Sequence, residues 1–79
     1  MNLIKINTTD THEIYIGSFE GQQVRFFKDL ITGDVRINAE DMARTLGYES
    51  AHDMLGRDES LDALNAAYKE TGVWPLTEI

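Results

Sequence analysis

Apolar and polar residues alternate through the first half of the chain, whereas in the second half apolar residues recur at spacings of three and four. Leu3, Ile4 and Ile6 predict a first strand that ends in the polar run Asn7-Thr8-Thr9-Asp10-Thr11. Ile14 and Ile16, interleaved with Glu13 and Tyr15, predict a half-buried second strand closed by Gly17-Ser18. Glu20-Gly21-Gln22-Gln23 reads as a turn, and Val24 to Lys28 as a third strand. That strand points Val24 and Phe26 inward and Arg25 and Phe27 outward. Thr32-Gly33-Asp34 closes a hairpin, and Val35 to Ile37 is the returning strand.

The period changes at Asn38. The run Val35 to Tyr48 is a short strand entering a helix whose two ends are both marked. Asn38 is an N-cap residue, Asp41 stands three positions on, where its carboxylate can reach back to the cap, and Ile37 and Met42 occupy the staple positions. Gly47 supplies the left-handed stop, and Tyr48 follows as the apolar contact of a Schellman ending. Helices are expected over about 39–46, 51–56 and 60–71, the last carrying Leu61, Leu64 and Tyr68 and ending at Gly72 with Val73 set against Tyr68. Strands first and helices afterwards predict one α+β domain, a small antiparallel sheet with two or three helices on one face. The expected core is Ile4, Ile14, Ile16, Phe19, Val24, Phe26, Val35, Ile37, Met42, Leu46, Leu55, Leu61, Leu64 and Tyr68.

Composition limits the chemistry open to this chain. Seventy-nine residues bound a single small domain, and the absence of cysteine removes disulfides and thiolate metal sites. The opening MNLIKINTTD contains no signal peptide or membrane-spanning run, so a cytoplasmic setting is expected. Net charge is −7, unevenly placed: residues 1–48 hold seven acids and five bases, residues 49–79 seven acids and two bases. The plainer expectation is a solvated face that keeps a small domain soluble, and an acidic half also repels a phosphate backbone.

No catalytic set assembles along the sequence. His12 and His52 lie forty residues apart without the companions a zinc site needs, and the serines lack a nucleophile-elbow pattern. Glu40 and Asp41 diverge around the helix and sit where the helix dipole favours anions. An enzyme is not expected, nor a metal or cofactor. The stretch MARTLGYESAHDML also has the outline of a helix-turn-helix that would bring His52 and Arg57 to a DNA groove. Asp53, Asp58 and Glu59 would face the same duplex, so two core helices joined by a glycine turn is the favoured reading.

Two surfaces remain as binding candidates. Arg25, Lys28, Arg36, Arg44 and Arg57 form the nucleic-acid set, with Arg25, Phe27 and Arg36 on the outer face of the hairpin. The plainer expectation is that these arginines pair with Glu13, Glu20 or Asp29 on the same sheet. Trp74 and Leu76, with the helical acids Asp53, Asp58 and Glu59, form the protein-contact set. Trp74 can close the core against the third helix, or it can anchor another protein. The apolar end and the Leu3–Ile6 strand can likewise be shared in a homodimer, or the end can fold back on its own domain.

Phe19, Gly21, Val24-Arg25, Thr32-Gly33-Asp34 and the run Ile37 to Tyr48 together resemble the Bro-N domains of phage antirepressors, over about half of the chain. The resemblance implies a phage or prophage regulatory module that associates with DNA, with repressor proteins, or with both. It also implies a further domain after this one in most family members. With the acidic helical half, the expected partner is a regulatory protein of host or phage, and DNA is the alternative.

Overall fold

The computed structural model describes residues 3–19 and 21–78. Four strands run as an antiparallel meander: β1 (Ile4–Thr8), β2 (His12–Phe19), β3 (Gln22–Asp29) and β4 (Val35–Asn38). Three helices follow, α1 (Ala39–Thr45), α2 (Ala51–Leu55) and α3 (Asp58–Thr71), and a two-residue strand β5 (Leu76–Thr77) returns to lie parallel to β4. The sheet order is β1-β2-β3-β4-β5. This is the α+β arrangement that the change of period predicts, helices packed together after a sheet. The parallel fifth strand is new. It forms because Ile37 donates its N–H to the Pro75 carbonyl at 2.8 Å and pairs with Leu76, so the apolar end folds back beside β4.

The hairpins are tighter than expected. Phe19 pairs with Gln22, so Gln22 and Gln23 belong to β3 instead of the turn, and Gly17 is a buried interior position of β2 opposite Val24. The β3–β4 corner is built by Asp29, whose carboxylate accepts from the backbone N–H of Ile31 at 2.8 Å and of Thr32 at 2.9 Å. Those backbone bonds, Thr32 first and then Ile31, hold the Asp29 carboxyl below its usual range.

Helix α1 ends as its sequence predicts. The Asn38 side chain accepts from the Asp41 N–H at 2.9 Å. Gly47 adopts φ 88°, and the N–H groups of Tyr48 and Gly47 reach the carbonyls of Ala43 and Arg44, the two bonds of a Schellman motif. The Asp41 carboxylate turns to β3. At the end of α3, Gly72 is left-handed and its N–H bonds to the Tyr68 carbonyl at 2.7 Å. That single bond is an αL cap instead of the expected Schellman ending, and the Val73 N–H bonds to the Thr71 hydroxyl.

The core differs from the expected one in its size classes. Its buried centre is Ala39, Ala43, Ala51, Met54 and Leu76, with Ile37, Met42, Tyr48, Leu55, Leu64 and Trp74 packed around it. Alanines let α1 approach both the sheet and α2 closely, and a pattern of large apolar residues passes over them. Four expected core residues are exposed instead: Ile4 on the edge strand, Val35 beside the β3–β4 turn, Leu46 at the end of α1 and Tyr68 on α3. Helix α3 has no buried residue at all. Phe27, expected to point outward, is buried along with Val24, while Phe26 is only half-buried. Strand β3 is the middle strand, so Phe27 is screened by Ile14 and Arg36 on either side and by the His12 ring meeting it edge-on. No described helix is long and apolar enough to cross a membrane.

Candidate functional site

The Asp41 carboxylate accepts four hydrogen bonds among the described residues, and it sits where α1 leaves the sheet. Beyond Phe26–Ile37 the pairing of β3 with β4 stops, which leaves the Arg25 N–H without a strand partner. The Asp41 carboxylate takes that N–H at 2.9 Å, the Arg25 Nε at 2.8 Å and an Arg25 terminal nitrogen at 3.1 Å. Arg44, one turn along the helix, adds a bond at 3.3 Å and also reaches the Gln23 carbonyl and the Gln22 side chain. Burial pushes the Asp41 carboxyl up. The Arg25 hydrogen bonds, side-chain and backbone, and the charges of Arg25 and Arg44 outweigh it and leave the carboxyl below its usual range. The Arg25 guanidinium is raised in return, first by its bond to Asp41.

The nucleic-acid set is therefore distributed among internal partners. Arg25 and Arg44 share Asp41, Arg57 bonds to Asp53 at 3.4 Å, and the Arg36 Nε donates to the Trp74 carbonyl at 3.1 Å. Lys28 is exposed on β3. The sheet acids expected to neutralise these arginines have other partners: Glu13 pairs with Lys5 at 3.2 Å, and Asp29 lies 3.9 Å from His12. Glu20 lies outside the described residues. The two flanking positions of the α1 cap also separate in function, since Glu40 accepts from the Ala51 N–H at 3.2 Å and ties α1 to α2.

In the protein-contact set, Asp58 and Glu59 are exposed in the first turn of α3, and Asp53 holds Arg57. Trp74 is half-buried with its ring edge-on to Tyr68 at 6.3 Å. Leu76 is a core residue of β5, 6% exposed, so its role in the molecule is to hold the sheet and helices together.

What the sequence did not point to is a groove of about 230 Å³ between α1 and α3, floored by β4 and β5. Met42 and Leu46 form one wall, Leu64 and Ala67 the other, and Met54 and Leu76 lie beneath. Ser60 enters at one end, where its hydroxyl donates to the Tyr48 hydroxyl at 3.1 Å and clips α3 to the turn after α1. The clue available in the sequence was the pair of small residues Ala63 and Ala67 on the inward stripe of α3, where a closed core would place larger ones. A second hollow, of about 290 Å³, brings Glu40, His52 and Glu78 to its walls. Among the described residues no group of three or more His, Asp or Glu side chains is placed to hold a metal ion. Comparison of the chain with protein-family models, curated proteins and solved structures finds no match to any of them.

Proposed function

We propose that this chain is a non-enzymatic regulatory binding module of phage or prophage type, Bro-N-like and antirepressor-like, that acts through a protein partner. The observation that carries this reading is the distribution of partnered charge. Four of the five basic candidates, Arg25, Arg36, Arg44 and Arg57, bond to groups of their own domain. The α3 acids Asp58, Glu59, Asp62 and Glu70 are exposed and make no ion pair among the described residues. An acidic surface beside an apolar groove suits a protein partner and repels a phosphate backbone. The Bro-N-like run Ile37 to Tyr48 supports the same reading, because it forms one continuous strand–helix–turn unit that also supplies a wall of the groove.

The test is capture of a regulatory protein from host lysate beside a duplex titration at two salt concentrations. Specific protein capture with weak duplex binding is expected. Tight duplex binding that falls steeply with salt, and falls again in Lys28→Ala and Arg36→Ala, would replace this reading with the DNA-binding alternative.

A further inference from the structure

We infer that the groove between α1 and α3 receives the apolar face of a basic amphipathic helix from the partner protein, an inference that rests on the protein-binding function proposed above. The groove is apolar to its floor and lies open along its length. Leu46 on one wall is 51% exposed, and α3, fourteen residues long, buries none of its side chains completely. Two of the lining residues are methionines, Met42 and Met54, whose unbranched thioether chains adapt to a guest of variable shape.

The rim specifies the charge of the guest. Glu59 and Glu70 continue the Ala63 stripe of α3 at four residues before and seven after, and Asp62 lies next to them. All three are exposed, and none has an ion-pair partner among the described residues. Of the nearby cations, Arg44 reaches back to Asp41 and β3 and Arg57 bonds to Asp53, while Lys69 stands two positions past Ala67, on the side of α3 turned away from the groove. An apolar slot with an anionic border is complementary to leucine-like anchors flanked by lysine or arginine.

The architecture also favours a helix over a strand. The floor strand β4 is already paired on both sides, by β3 and β5, and β5, the edge strand of the floor, is two residues long and follows Pro75, too short a template for an added strand. Recognition falls to side-chain anchors at helical spacing, the helix-in-groove mode. A second copy of this chain does not fit, because none of its described helices is basic and amphipathic and it repels with its own net charge of −7.

The full chain, labelled at its methionine methyl groups, is titrated by NMR with a synthetic helical peptide carrying leucines on one face and lysines on the other. A second peptide has glutamates in place of the lysines, and a third has the leucine positions scrambled. The lysine peptide should shift the Met42 and Met54 methyl signals, and the other two should not. Leu46→Glu, at an exposed position, should retain the dispersed spectrum of the folded protein and weaken binding by about tenfold or more. Ala63→Glu is a second variant with the same expectation from the opposite wall. Glu59→Gln with Glu70→Gln should weaken binding less and flatten its salt dependence. Unmoved methyl signals at saturating lysine peptide, or equal binding of the lysine and glutamate peptides, would overturn the inference. Capture of a lysate protein equally by wild type and Leu46→Glu would also overturn it while leaving the protein-binding function standing. Salt-sensitive duplex binding without protein capture would instead remove that function itself.

Discussion

A single carboxylate carries much of the electrostatic organisation of this protein. Asp41 is 3% exposed, and its bonds to Arg25 and Arg44 join the first turn of α1 to the middle strand of the sheet. Replacing it with alanine should cost about 2–3 kcal/mol in urea unfolding, the scale of hydrogen bonds to a charged group. Its folded pKa is depressed, so its stabilisation is complete above the unfolded carboxylate value of about 4 and is lost as pH falls through the lower folded value. Asp41→Asn should therefore flatten the decline of stability below about pH 4, measured by urea midpoints across a pH series. Gly47 makes a separate demand. At φ 88° with nothing within 4 Å of a built Cβ, Gly47→Ala should cost about 1 kcal/mol through backbone strain alone. The Gly47 stop was legible because helix endings are local. The Arg25–Asp41 contact was not, because it spans two elements sixteen residues apart and leaves no periodic trace.

At the scale of elements, strand and helix order were readable from the change of period, and boundaries fell within a residue or two for α1, α2 and the end of α3. What the pattern could not supply was depth. Large apolar residues mark an inward face, yet the tightest packing here uses Ala39, Ala43 and Ala51 around Met54, and β5 comes from an end with no strand pattern. Met54, 1% exposed, is the largest fully buried side chain among the described residues, and Met54→Ala should cost about 3 kcal/mol. Helix α3 is the opposite case. It is held by half-buried Leu64, by the Ser60–Tyr48 clip and by Tyr68 against Trp74, so few buried apolar contacts resist its opening. Its amides should exchange with solvent faster than those of β2 and β3 in native-state hydrogen exchange, in keeping with a helix that borders an open groove. Only Ala63 and Ala67 hinted at the groove in advance, since Met42, Leu46 and Leu64 look like ordinary core residues until their spacing in three dimensions is known.

For the whole molecule, the sheet leaves two edges and treats them differently. The β5 edge is only two residues long and follows directly on Pro75, a poor template for further pairing. The β1 edge presents five exposed residues, with Ile4 and Ile6 among them and Leu3 just before. The dimer that the sequence left open would share both the apolar end and the β1 edge; sharing of the apolar end is opposed by the fold, because Leu76 is already buried in its own sheet and Trp74 already meets its own Tyr68. Edge pairing of β1 is the route that remains. Lys5 stands between Ile4 and Ile6 on that edge with its ammonium 3.2 Å from Glu13, and an irregularity in register falls between Lys5 and Asn7. A charged residue and a bulge are both devices that discourage a second strand from joining. Docking two copies there would desolvate both lysines or bring them together, against a net charge of −7 on each chain. The wild-type chain should therefore sediment as a monomer at micromolar concentration. Lys5→Val removes the charge and keeps the β propensity, so it should shift the chain toward dimers or larger species, more strongly at high salt where the remaining repulsion is screened. A wild-type dimer that Lys5→Val leaves unchanged would place the contact away from β1 and end this account of the edge.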